Sequence, residues 1–200
     1  MSESASTRQR IQQVALDLFG EQGYDKTSLR EIAERLDVTK AALYYHFKSK
    51  EDILQSVLED YLSEVEALLD WAEAAPADAS ARTEFVRSYA GIVERRFKSV
   101  RFVQQAPTQM RESGIGRRFR DVMRRVNTLV RPPDAPLVDQ VRALAAVLSI
   151  HVGTVAFGSG ARMLDGNPFG DAGQHDPEDV RAAVTQVAEE LITAANRPDG

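Results

Sequence analysis

Between Thr27 and Phe47 the chain reads TSLREIAERLDVTKAALYYHF, and this segment leaves few folds open. Leu29, Ile32, Ala33 and Leu36 recur at i, i+3, i+4 and i+7, one apolar face of a short helix. Thr27 or Ser28 supplies an oxygen to cap its start. Asp37 and Val38 make a turn, and Thr39 caps a second short helix. Leu43 and Phe47, four apart, face inward. Lys40, Ala42, Tyr44, Tyr45 and His46 are left for outward or flanking positions. Two short helices across a tight turn make a helix-turn-helix unit. The exposed set suits a DNA groove: small residues let the backbone approach base edges, while hydroxyl and imidazole groups donate to phosphates.

The rest of the chain is also helical in pattern. Ser6 or Thr7 starts a first helix with Ile11, Ala15, Leu18 and Phe19 on one face, ended by Gly23 in a left-handed cap. Ser49, with Asp52 three residues on, opens a long fourth helix whose stripe runs from Leu54 to about Trp71. Ala74–Ser80 is expected as a loop, and Ala81 to about Lys98 as a fifth helix. A bent helical stretch, 102–110, and a helix from Gly116 to Val130 follow, stopped by Arg131-Pro132-Pro133. Leu137–Leu164 is the most hydrophobic part, and 165–175 reads as a Gly- and Asp-rich loop. Asp176-Pro177-Glu178-Asp179 is a helix start: a cap, a proline at the first position and acids in the first turn. No stretch alternates with the period of a strand, so the expectation is an all-α chain of about nine helices. The nineteen residues from Ala143 to Ala161 carry no formal charge, yet Ser149, His151, Gly153, Thr154, Gly158, Ser159 and Gly160 argue for a buried helix, not a membrane span.

Charge is unevenly spread. Residues 1–50 hold eight basic and seven acidic residues, 51–84 one and ten, and 85–133 twelve and three. A near-neutral N-terminal segment on an acidic chain (net −5) binds DNA weakly except at a matched site, because non-specific affinity scales with phosphates neutralised. The chain has no cysteine, which excludes disulfides and thiolate metal sites. With no apolar h-region in MSESASTRQR, this fits a cytoplasmic protein.

From Arg8 to Leu58 the chain resembles the N-terminal DNA-binding domain of the TetR family of bacterial transcriptional regulators. The matching pieces are Ala15-Leu16-Asp17-Leu18-Phe19, Gly23-Tyr24, Thr27 to Ala33, Val38-Thr39-Lys40, Leu43 to Phe47 and Lys50 to Leu54. The resemblance implies an N-terminal three-helix helix-turn-helix domain, 1–50, and a C-terminal helical ligand-binding and dimerisation domain, 51–200. It implies a homodimeric regulator, a repressor, that binds double-stranded DNA at a palindromic operator and is released by a small-molecule effector through a tilt of the fourth helix. Carried over by position, Thr27, Ser28, Tyr44, Tyr45, His46 and Lys50 would hold phosphates. Arg30, Lys40, Ala41 and Ala42 would face bases, with Thr39 beside them. Two residues depart from the family pattern: Asp37 stands where glycine is frequent, and Ala42 where a hydroxyl residue is common.

No metal-ligand spacing, phosphate loop or nucleophile motif occurs, so no enzyme activity, cofactor or metal is expected. Trp71, Tyr89, Phe102, Met110, Phe119, Met123, His151 and Phe157 could line an effector cavity or simply fill the core. Arg117, Arg120 and Arg124 lie opposite Phe119, Met123 and Val126, as a solvated face or as partners for the acidic fourth helix. For the dimer interface, Ala145, Ser149, Gly153, Ala156 and Gly160 form a small-residue face, and Val184, Val187 and Leu191 lie on the stripe of the last helix. Two other readings share these features: a DNA-binding protein of this fold without an effector, and a helical ligand carrier or enzyme that has lost DNA binding.

Overall fold

In the computed structural model, residues 3–76, 78–105, 113–131, 134–157 and 175–196 are described. All the regular structure among them is helical: α1 (Glu3–Gln22), α2 (Leu29–Arg35), α3 (Lys40–His46), α4 (Lys50–Ala74), α5 (Ala79–Arg95), α6 (Phe97–Gln105), α7 (Gly114–Val130), α8 (Leu137–Phe157) and α9 (Pro177–Ala195). The expected stops at Pro107 and at Pro132-Pro133, the loop at 165–174, and the candidates Met110 and Gly160 lie outside the described residues. None of the described helices is long and apolar enough to cross a membrane.

Two compact units divide the chain: Met1–Tyr61 with Lys98–Gly116, and Leu62–Phe97 with Arg117–Gly200. In the first, Ile11, Ala15, Leu18 and Phe19 of α1 are buried, as their spacing predicts, together with Ile32, Leu43, Phe47, Ile53 and Leu58. α1 ends at Gly23, whose N–H donates to the Phe19 carbonyl at 3.1 Å and whose φ of 92° then turns the chain out of the helix. Gln12 is buried on α1. Its amide donates to Ser56 Oγ (3.0 Å) and Asp60 Oδ2 (3.1 Å), tying α1 to the start of α4. Ser49 caps α4 through the Asp52 N–H (3.0 Å), but the Asp52 carboxylate accepts from the Lys48 N–H instead of closing the box on Ser49.

In the second unit α5, α8 and α9 pack together, α8 and α9 most extensively. α5 starts two residues before the expected Ala81 because Asp78 caps it through the Ala81 N–H (2.9 Å). Asp176 caps α9 in the expected place, with Pro177 in the first turn. The acidic side of α4 within this unit is clasped by arginines: Arg96 donates to Glu64 (2.8 Å), Arg118 to Glu66 (2.9 Å), and Arg125 to Glu73 (3.0 Å) and Asp70 (2.7 Å). Charge complementarity to α4 is thus real, and Arg96, Arg118 and Arg125 carry it. Arg117, Arg120 and Arg124 follow the other expectation, a solvated face: all three are exposed, and Arg124 pairs with Asp121 on its own helix.

The small-residue face of α8 is corrected in its partner. A Cβ on Gly153 would lie 2.5 Å from Val184 Cγ2, so α9 of the same chain takes up that approach. Ala156 is only 2% exposed within the single chain. The large apolar residues left exposed on α8 are Leu137, Val138, Val141, Leu148, Val152 and Phe157, and on α9 Val187 is exposed too. Val138, Val141, half-buried Ala145, Leu148 and Val152 follow a 3-4-3-4 spacing, which makes one continuous seam.

Candidate nucleic-acid interface

The surface built by α2 and α3 is fixed by its caps. Ser28 opens α2 with a capping box: its Oγ accepts the Glu31 N–H (3.2 Å), and the Glu31 carboxylate accepts from the Ser28 N–H and hydroxyl (2.7 Å each). These hydrogen bonds hold the Glu31 carboxyl below the usual carboxylate range. The pattern Ser-x-x-Glu was visible in the sequence and is the signal that separates Ser28 from Thr27 as the cap. Thr27 is 2% exposed. Its hydroxyl donates to the Gly23 carbonyl (2.8 Å) and accepts from Gln22 (3.3 Å), so it is committed to the α1–α2 turn.

α2 ends in a Schellman arrangement. The Val38 N–H reaches the Ala33 carbonyl (3.0 Å) and the Asp37 N–H the Glu34 carbonyl (3.2 Å), with Asp37 left-handed at φ 54°. The aspartate therefore takes the conformation that glycine would fill. Thr39 then caps α3 through the Ala42 N–H (3.1 Å). Leu43 and Phe47 pin α3 to the core, while Lys40, Ala41, Ala42, Tyr44 and Tyr45 are exposed, Tyr45 at 82%. His46 is half-buried, edge-on to Tyr45 at 5.2 Å. Lys40 Nζ lies 5.5 Å from the Tyr44 ring centre.

Arg8 was not singled out from the sequence. Its guanidinium sits 4.4 Å over the Phe47 ring and donates to the His46 carbonyl at 3.5 Å, at the C-terminal end of α3 where a cation is favoured. Arg30 is exposed and paired with Glu34 (2.7 Å). Lys50 is turned onto the α1–α2 turn: its ammonium donates to the Tyr24 carbonyl (2.8 Å) and the Asp25 carbonyl (3.4 Å) and lies 4.6 Å over the Tyr24 ring.

Tyr89, His151 and Met123 meet in the second unit. His151 Nδ1 lies 2.9 Å from the Val147 carbonyl and so carries the proton, which leaves Nε2 to accept from the Tyr89 hydroxyl (3.1 Å). Met123 Sδ is 3.7 Å from the same hydroxyl. Burial pushes the His151 imidazole down, so it is neutral near pH 7. Phe119 is half-buried, and Trp71 and Phe157 are exposed, Phe157 edge-on to His175. Phe102 belongs to the other unit, where it packs on Phe19 and Tyr24. Among the described residues, no three His, Cys, Asp or Glu side chains gather to hold a metal ion.

Comparison with known proteins agrees with this geometry. Residues 11–57 match the family model "Bacterial regulatory proteins, tetR family". The HTH-type transcriptional regulator AcrR of Shigella flexneri is 49% identical over 57 residues, 28% of this chain and 26% of that protein. The chain thus spans about a quarter of that curated relative's length in the match. The fold extends further. The ketosteroid transcriptional regulator KstR2 of Mycobacterium tuberculosis superposes with a TM-score of 0.70 at 17% identity, covering 99% of this chain and 98% of that one. AibR, solved in complex with isovaleryl coenzyme A and operator DNA, superposes with a TM-score of 0.59 at 18% identity, covering 89% and 95%. With Ser28, the Asp37 turn and the exposed face of α3 arranged as the helix-turn-helix pattern requires, residues 11–57 are similar to the DNA-binding segment of the tetR family of bacterial regulatory proteins, and the fold of the whole chain is that of regulators solved in that family.

Proposed function

We propose that this chain is a cytoplasmic transcriptional repressor that binds a palindromic operator in double-stranded DNA as a homodimer and lets go when a small molecule binds its helical unit. The observation that carries the DNA reading is α3: a capped helix anchored by Leu43 and Phe47, with Lys40, Ala41, Ala42, Tyr44 and Tyr45 all exposed on the other side. Alanine at 41 and 42 allows close backbone approach. Lys40 reads a base, and the two tyrosines and Lys50 hold phosphates. A single seven-residue helix reads few base pairs, so two copies about one DNA turn apart, roughly 34–36 Å, are needed for a selective site.

The apolar seam Val138–Val152 on α8, with Val187 on α9, supports the dimer, since large apolar patches on soluble chains mark protein contacts. Repression by occupying the operator is the simplest action for such a dimer. That AibR, which shares this fold, was solved with isovaleryl coenzyme A as well as operator DNA supports an effector for this chain. The test is selection of DNA from a random pool with the full-length protein. An enriched inverted repeat, bound by two chains and released by a compound that raises the protein's melting temperature, is the expected result. Enrichment of no sequence would overturn the reading.

A further inference from the structure

Phe102 was a ligand candidate by sequence, yet it sits in the DNA-binding unit. It is 5% exposed, and its ring lies 5.8 Å from both Phe19 and Tyr24, which are themselves 5.0 Å apart. Three rings thus touch pairwise at the distances aromatic pairs favour. One turn earlier on α6, Lys98 forms an ion pair with Asp17 of α1, so the same side of α6 is fastened twice. Tyr24 is half-buried and is also the platform for Lys50 through its ring and its carbonyl, while its hydroxyl donates to Glu51 (3.0 Å). An ammonium has three donors. The Tyr24 and Asp25 carbonyls take two and hold the ammonium in place, with the Glu31 and Glu51 carboxylates near enough to interact with its charge.

We propose that Phe102 is a positioning residue for DNA binding: through Tyr24 it fixes Lys50 where the lysine grips a phosphate. This rests on the DNA-binding reading above. Removing the Phe102 ring frees one side of Tyr24, the carbonyl platform under Lys50 shifts, and the phosphate contact is lost although Phe102 never touches DNA.

The experiment measures affinity of the full-length protein for a selected operator across a range of salt concentrations. Each phosphate neutralised contributes about 0.9 to the slope of log affinity against log salt. Lys50→Met should lower the slope by about that amount, Phe102→Leu by the same, and the double variant by no more than either. A Phe102→Leu protein with the wild-type slope overturns the proposal, whether its affinity is unchanged or weaker, because a merely structural role weakens binding without removing a charge contact. An unchanged slope in Lys50→Met overturns it as well. Should Phe102→Leu fail to fold, Tyr24→Leu, which removes the platform ring, is read in the same way. Wild-type protein that selects no DNA defeats the function and not this coupling alone, so the two failures are distinct.

Discussion

At single positions the strongest constraint is the turn at Asp37. A left-handed aspartate is strained by roughly 1 kcal/mol or more, while glycine avoids that strain at a cost in unfolded-chain entropy of similar size. Asp37→Gly should therefore change stability in denaturant melts by less than about 1 kcal/mol, with operator affinity retained. A larger loss would show that the carboxylate itself has a task. On the exposed side of α3, Tyr45→Ala should weaken binding to all DNA sequences about equally in gel shifts. Lys40→Ala should relax preference at one base position, costing roughly 1–3 kcal/mol there. If both variants bind as the wild type does, the groove face is assigned to the wrong side of α3. The turn and the caps were legible in the sequence because each depends on residues within a few positions. The commitment of Thr27 to the turn was not, since a hydroxyl beside a cap serves either role until Gly23 and Gln22 are placed around it.

Among the helices, what the sequence revealed is which segments are helical and which of their faces are apolar. What it withheld is which partner each face meets. The five arginines of α7 crowd one side of the helix, so spacing alone cannot choose Arg118 and Arg125, seven apart, as the pair that clasps α4. The small face of α8 was correctly seen as a place of close approach, but α9 of the same chain reaches it first. His151 illustrates the same limit: a histidine amid apolar residues is a ligand or a core residue until its two nitrogens are traced, and here they join α8 to Tyr89 of α5. Its pKa is lowered by burial, so the unfolded chain takes up the proton first. The sign follows: this contribution to stability is full above the unfolded value of about 6.5 and is lost as pH falls below it. Thermal melts should show wild type losing more stability than His151→Gln between about pH 7.5 and 5.5, although the variant is the less stable at the upper pH. Equal losses would mean that the imidazole does not resist protonation.

At the level of the whole molecule, the proposed dimer separates two surfaces of α8. Leu148 is 51% exposed, and Leu148→Arg should leave the protomer folded while light scattering shows monomers and palindrome binding fails. Ala156→Arg should instead lower the melting temperature of the protomer, because the charge enters a site buried by the chain itself. A stable Leu148→Arg dimer with unaltered operator binding would remove the Val138–Val152 seam from the interface. The DNA-binding unit, for its part, is made of two stretches of chain, Met1–Tyr61 and Lys98–Gly116, with Tyr24 on one and Phe102 on the other. Genes of this kind cannot trade reading heads by a single crossover in the interval between those stretches without parting the two rings. A chimaera that keeps its grip on DNA must draw both from one parent, or from parents whose rings already match, so Tyr24 and Phe102 are inherited as a pair.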